Sequence, residues 1–259
     1  MKILLITALC ISSFFCFSQS KKINVEVGYI EFVHVSFLNT YGRSYSTLFA
    51  DNTASIYKKY GAELSDGQYF DKNDSRFVET SKKKFYNNYM KTDLLKKKLL
   101  FFESLGNYKV LVEDIYLDLG WTITEEQKVI ADYTCVKATV SYRGRDWTAW
   151  FTPEIPLAVG PWKLHGLPGL ILEASDATGE CTYKAITVAF NDNSILHSDF
   201  TKLVKTKNKK PMTYRQFLKD RIEALDNINK KQDMENPNVI SADVKVPPFG
   251  LELKYEWEE

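Results

Sequence analysis

The sequence predicts a mainly β protein with a C-terminal helix, an α+β chain built on a curved antiparallel sheet. Apolar residues alternate with polar ones in several short segments, and Gly, Asn and Asp punctuate them. Only one stretch, after Pro211, shows helical periodicity behind a capping signature. Hydrophobic residues make up 44% of the chain and aromatic residues 14%, enough for a core and contrary to the composition of disordered chains.

In INVEVGYIEFVHVSF, the residues Ile23, Val25, Val27 and Tyr29 mark one face of a strand. After Gly28 the pattern passes to Ile30 and Phe32, which predicts a bulge or burial on both faces. SYSTLFADNTASIYKKY reads as two strands with a turn at Asp51-Asn52, and the polar residues 62–84 read as a surface excursion. Residues 84–121 predict three short strands with turns near Thr92-Asp93 and Gly106-Asn107.

YTCVKATVSYRGRDWTAWF predicts a hairpin closed by Arg143-Gly144. Counting back from that turn pairs Tyr142 with Arg145, Val140 with Trp147, Ala138 with Ala149, and Val136 with Phe151. These pairs share an apolar face, and a slip of one residue would mix the two faces. Pro153, Pro156, Pro161 and Pro168 then exclude regular structure, and Leu167-Pro168-Gly169-Leu170 fits a type II turn. LILEA and CTYKAITVAF read as a second hairpin around SDATGE. Thr213 and Gln216 suit a capping box, followed by an apolar stripe of Phe217, Leu218, Ile222, Leu225 and Ile228 running to about Lys230. A polar stretch, KKQDMENPNVISADVK, leads to GLELKYEWEE, read as a last strand.

Residues 1–20 have the composition of an export leader: Lys2, an apolar run from Ile3 to Phe17, and small Ser18 and Ser20 before the expected cleavage point. A retained lipid anchor at Cys16 is the alternative, although Phe14 and Phe15 are not the small residues that usually precede one. The expected mature unit is then a single β-rich domain, 21–259, in the periplasm or associated with the outer membrane. Loss of Lys2 balances 34 basic residues against 33 acidic ones, which argues against nucleic-acid binding. The lysine runs at 82–84, 96–98 and 205–210 fit solvated surface, with peripheral membrane contact as the other reading. Cys135 and Cys181 remain after the leader, and an even number in an oxidising compartment predicts a disulfide worth about 4 kcal/mol for a loop of roughly 45 residues. Two separate buried thiols are the other reading.

GLPGLI runs from Gly166 to Ile171, within GRDWTAWFTPEIPLAVGPWKLHGLPGLILEASD and downstream of YTCVKA. Over about residues 120–176 the chain closely resembles the GLPGLI family of exported bacterial proteins. That resemblance implies an exported β-rich domain and transfers no catalytic residue. The order of elements is also compatible with the curved half-barrels of periplasmic lipoprotein carriers.

Chemistry-bearing patterns are few. His34, His165 and His197 lack metal-ligand spacing, so neither metal nor cofactor is expected. No nucleophile elbow or phosphate-binding glycine loop is present. Asp146, Glu154, Glu173 and Asp176 surround the signature without a defining geometry. The candidate binding surface is Trp150, Trp162, His165, Gly166, Leu167, Pro168 and Gly169, with Trp147 and Phe151 beside it. The leading expectation is a non-enzymatic carrier or binding protein for a lipid, a peptide or an envelope protein. The alternatives are an envelope hydrolase using His165 with a nearby carboxylate, and an assembly factor for an outer-membrane complex.

Overall fold

The computed structural model describes residues 23–35, 40–66, 88–192, 194–208, 210–235 and 251–258. The expected leader, most of the 62–84 excursion including Lys82 to Lys84, and residues 236–250 lie outside these. The strands are β1 (Val25–Val35), β2 (Thr40–Ala50), β3 (Ala54–Asp66), β4 (Asn88–Asp93), β5 (Lys98–Leu105) and β6 (Tyr108–Ile115). They continue with β7 (Thr122–Ile130), β8 (Tyr133–Tyr142), β9 (Arg145–Thr152), β10 (Leu170–Asp176), β11 (Cys181–Ala189) and β12 (Met212–Thr213). One α-helix, α1 (Tyr214–Glu235), follows β12 directly.

All twelve strands join one open, curved sheet in the order β12-β6-β5-β4-β3-β2-β1-β11-β10-β9-β8-β7. Every pairing is antiparallel except the short one between β12 and β6. The β8–β9 register is the one its sequence predicts, from Tyr142 opposite Arg145 to Val136 opposite Phe151. Arg143 and Gly144 close it with φ of 55° and 77°, a turn whose twist suits the strands on either side. In β1 the predicted irregularity lies between Gly28 and Tyr29, where pairing with β11 shifts while pairing with β2 runs unbroken. A Cβ on Gly28 would come within 2.6 Å of the Thr187 and Tyr45 hydroxyls, so the chains approach there because glycine lets them. At the β2–β3 turn the Asp51 carboxylate accepts from the Thr53 and Ala54 amides.

Two apolar clusters follow from the alternation of strand side chains. The larger covers the inner face, where Tyr29, Leu48, Phe101, Val112, Trp147 and Phe151 meet the proline-rich loop and the start of α1. Ile56, Phe102 and Leu111 belong to a second cluster with Leu196 and Phe200 from the short helical turns at 194–202.

Several expectations are corrected. β7 (TITEEQKVI) was not foreseen: it is an edge strand whose side chains are mostly exposed, so burial imposes no alternation on it. β3 continues into the supposed excursion as far as Asp66. Residues 251–258 form an irregular strap instead of a last strand. Gly169 has no positive φ, which a type II turn requires; its amide donates to the Leu167 carbonyl at 2.8 Å in a tighter turn around Pro168. Half of the capping box forms: the Gln216 amide donates to the Thr213 hydroxyl, while the Gln216 side chain binds Asp220. The helix runs past Lys230, and among its described side chains the buried ones are Tyr214 and Phe217 in the first turn, while Ile222 is 62% exposed.

The disulfide is also absent, since Cys135 and Cys181 are free, buried thiols. Strands β9 and β10 separate β8 from β11, a lateral gap of roughly 14 Å at ~4.8 Å per strand. Cys135 lies at the Thr152 end of the hairpins and Cys181 at the Asp176 end, which adds separation along the strands. A bridge requires Cα atoms within about 7 Å. Burial pushes the two thiols up to about 11 and about 12, respectively, so both stay protonated near neutral pH.

Gly169→Ala should destabilise strongly, because the added Cβ would lie 2.2 Å from the Thr152 carbonyl oxygen. Urea denaturation should show a loss of about 1–3 kcal/mol or more. Gly106→Ala meets open space and strains only its φ of 60°, so it should cost about 1 kcal/mol. Equal losses would mean that the Gly169 approach is relaxed in solution.

Candidate functional site

The loop from Pro153 to Gly169 folds into the inner face of the sheet. Leu157, Val159, Leu164 and Leu167 are about 1% exposed, although no helix or long strand contains them. Their backbone is satisfied locally. Leu157 and Val159 amides donate to carbonyls two residues back, Gly166 donates to Ala158, and Leu170 and Ile171 donate to Ile155 and Val159. Gly166 supplies the φ of 93° where the loop reverses, and Gly160 leaves room for Ile171 and the Leu164 carbonyl.

His165 is buried inside this loop. Its Nδ1 lies 2.7 Å from the Lys163 carbonyl and its Nε2 2.9 Å from the Leu117 carbonyl. Trp121 donates its indole N–H to the His165 carbonyl at 2.7 Å, and the Tyr116 ring lies 4.0 Å from the imidazole. Burial holds the imidazole pKa below its ordinary value, while the two carbonyls pull in the other direction.

Beside His165 the loop delivers Lys163, 3% exposed, into a buried ion cluster. Its ammonium lies 2.7 Å from Asp114 and 2.7 Å from Glu252. Arg143, from the β8–β9 turn, donates to both oxygens of Asp114 at 3.0 and 3.1 Å and approaches Glu252 at 3.2 Å and Glu256 at 2.7 Å. The Tyr214 hydroxyl donates to Glu252 as well. The surroundings raise the Arg143 pKa further, so the guanidinium stays charged. A second buried carboxylate, Glu31, receives Lys59 at 2.6 Å, the Tyr57 hydroxyl and Ser44 at 3.0 Å. A third, Asp176, receives Arg145 at 2.5 Å.

Between the first two clusters lies a cavity of about 180 Å³. Its apolar walls are Tyr57, Met90, Phe101, Trp162, Tyr214 and Leu251, and Lys59, Asn88, Glu103, Lys163 and Glu252 supply polar groups. The Lys163 ammonium sits 4.2 Å from the Tyr214 ring centre and 4.7 Å from that of Phe101. Burial raises the Glu103 pKa, with Arg221, Lys163 and Lys109 acting against it.

Of the sequence-predicted surface, the cavity takes only Trp162, which also packs on Tyr142 and Trp147. His165, Leu167 and Gly169 are buried as framework, whereas Gly166 and Pro168 are exposed. Trp150 is half-buried elsewhere, with the Lys128 ammonium 4.3 Å above its ring. The acidic candidates are dispersed: Asp146 accepts from Ser141, Glu154 from the Thr134 amide, and Glu173 pairs with Lys128. Lys163, Glu103, Asp114 and Tyr214 escaped the sequence reading because each carries an unremarkable local pattern. Lys163, placed between Trp162 and Leu164 in a proline-rich loop, was the one available signal.

A family model described as a protein of unknown function (Porph_ging) matches residues 142–173, the stretch that holds the GLPGLI signature. No curated protein matches the chain. Among solved structures, one entitled "Structure of PNGF-II in C2 space group" is similar at a TM-score of 0.54 and 15% identity, over 78% of this chain and 33% of that one. A second, "Structure of PNGF-II in P21 space group", is similar at 0.52 and 16% identity, over 78% of this chain and 34% of that one. The chain thus spans about a third of these structures, and the likeness is one of fold.

Asp114→Asn should remove the charge that Arg143 and Lys163 share, costing about 3–5 kcal/mol in denaturant unfolding. His165 also makes a pH prediction. A folded pKa below the ordinary 6.5 means that the unfolded chain binds the proton better. Stability is therefore full above about 6.5 and falls as pH drops through the lowered folded pKa. Melting curves of the wild type should show this decline, and His165→Gln should flatten it while lowering stability throughout. An unchanged slope would assign the decline to carboxylates.

Proposed function

We propose that the chain belongs to the GLPGLI family of exported proteins and works in the cell envelope as a non-enzymatic binding protein. The observation that carries this reading is the cavity beside Trp162, with aromatic walls and polar groups tied into ion pairs. A catalytic centre needs a group free to attack or to exchange a proton with substrate. Here Lys59 is held by Glu31, Lys163 by Asp114 and Glu252, and the His165 nitrogens face backbone carbonyls. That arrangement disfavours a hydrolase that relies on His165, and Glu103 is the lining carboxyl that such a reading would have to use instead. The cavity also narrows the ligand. It is smaller than the ~300 Å³ at which drug-sized pockets begin, and cavities near 150 Å³ admit a molecule such as benzene. The ligand class is a small apolar or aromatic molecule, or one such group of a larger partner, instead of a whole lipid chain.

Native mass spectrometry of the protein purified from its envelope without detergent should reveal added mass that solvent extraction removes. Phe101→Trp, which fills the cavity, should abolish that mass while the melting temperature holds. A bare chain in both proteins would overturn the small-ligand reading.

A further inference from the structure

The strap 251–258 occupies a site far better built than its irregular backbone requires. Two backbone hydrogen bonds tie it to the remaining described chain, from the Leu253 and Lys254 amides to the single carbonyl of Arg143. Everything else is side-chain recognition. The Glu252 carboxylate meets Lys163 at 2.7 Å, Arg143 at 3.2 Å and the Tyr214 hydroxyl. Glu256 takes the remaining edge of the Arg143 guanidinium at 2.7 Å. Tyr255 and Trp257 stack on each other at 5.0 Å, and both meet the Tyr214 ring edge to face. The guanidinium lies 5.3 and 5.5 Å from their centres.

The receiving side is built from elements other than the strap: the β8–β9 turn, the signature loop and β6. The Arg143 and Lys163 side chains are 0% and 3% exposed, and Asp114 fixes both from β6. With the strap in place the site is a pair of buried cations, both held by Asp114, beside the Tyr214 phenol, and a carboxylate completes it, which is the chemistry of a carboxylate receptor. We propose that this cradle is a docking site for an extended acidic–aromatic segment of a protein partner, a glutamate followed by aromatic residues three and five positions later. The chain's own Glu252, Tyr255 and Trp257 are its resident competitor. Leu251 and Glu252 also line the cavity, so exchange of the strap for a partner segment would open that cavity from one side. Docking does not depend on a ligand being retained there.

The test uses full-length protein and a fluorescently labelled peptide with the sequence of residues 251–258, LELKYEWE. In the wild type the tethered strap competes at an effective concentration of order mM, so the peptide should bind weakly. Weakening the strap in place, by Glu252→Gln or by Trp257→Ala at its rim, should tighten peptide binding at least tenfold. A peptide carrying Gln at the Glu252 position, or a scrambled one, should not bind. The proposal is overturned if both variants melt cooperatively yet take up no peptide. Unfolding of both would also overturn it, since the strap would then be permanent core. Equal binding of the scrambled peptide would reduce the contact to nonspecific charge.

Discussion

The carboxylate of Asp114 is the point on which the inner face of this protein depends. It lies near the end of β6, and around it converge the β8–β9 turn through Arg143, the signature loop through Lys163, and the strap through the cations it shares with Glu252. These parts are distant in sequence and are not neighbours in the sheet. Burying two cations costs several kcal/mol each unless anions compensate, and here Asp114 and a glutamate, Glu252 of the strap, supply the compensation. The energetic gain of such a cluster over an apolar packing is small. Its effect is geometric: a planar guanidinium whose three nitrogens face three different carboxylates, together with an ammonium, admits few arrangements, so the turn, the loop and the strap are positioned together.

The signature loop acts in the same sense. A curved sheet that does not close presents an inner face which must be covered, and here residues 153–169 cover it with Leu157, Val159, Leu164 and Leu167. A buried irregular loop must satisfy its own backbone. It does so through tight turns at the prolines and through the short bridge between Val159 and His165, while the His165 ring lies between the Lys163 carbonyl of the loop and the Leu117 carbonyl before β7, to one of which a neutral imidazole donates. The hexapeptide is therefore framework in most of its residues, with Gly169 admitting the Thr152 carbonyl and Leu167 filling the core.

What could be read from the chain follows from which interactions are local. The β8–β9 register was legible because a two-residue turn and alternating burial fix it together, and Gly28 marked the bulge in β1. β7 was not legible, because an exposed edge strand receives no burial pattern from its neighbours. The strap read as a strand because GLELKYEWEE alternates, yet its alternation serves Glu252, Tyr255 and Trp257 in a side-chain cradle instead of a ladder. Cysteine parity suggested a disulfide that strand order makes impossible, and strand order is a long-range property. Of the candidate site, Trp162 was visible through its setting among glycines and prolines. Asp114, Lys163 and Tyr214 were not, since their meeting depends on the packing of three elements.

The same distinction bears on function. Framework requirements account for the buried glycines, the prolines and His165, whose removal would leave backbone groups unsatisfied or the loop clashing. They do not account for a strap that brings two glutamates and two stacked aromatic rings to a single arginine. An apolar segment could have sealed that end of the core with no charge to bury, at equal or better stability. A charged contact that confers little net stability has its value in discrimination, because it admits only a segment carrying matching groups at matching intervals. The inner face is thus framework at the signature loop and recognition at the strap, and Asp114 lies where the two meet.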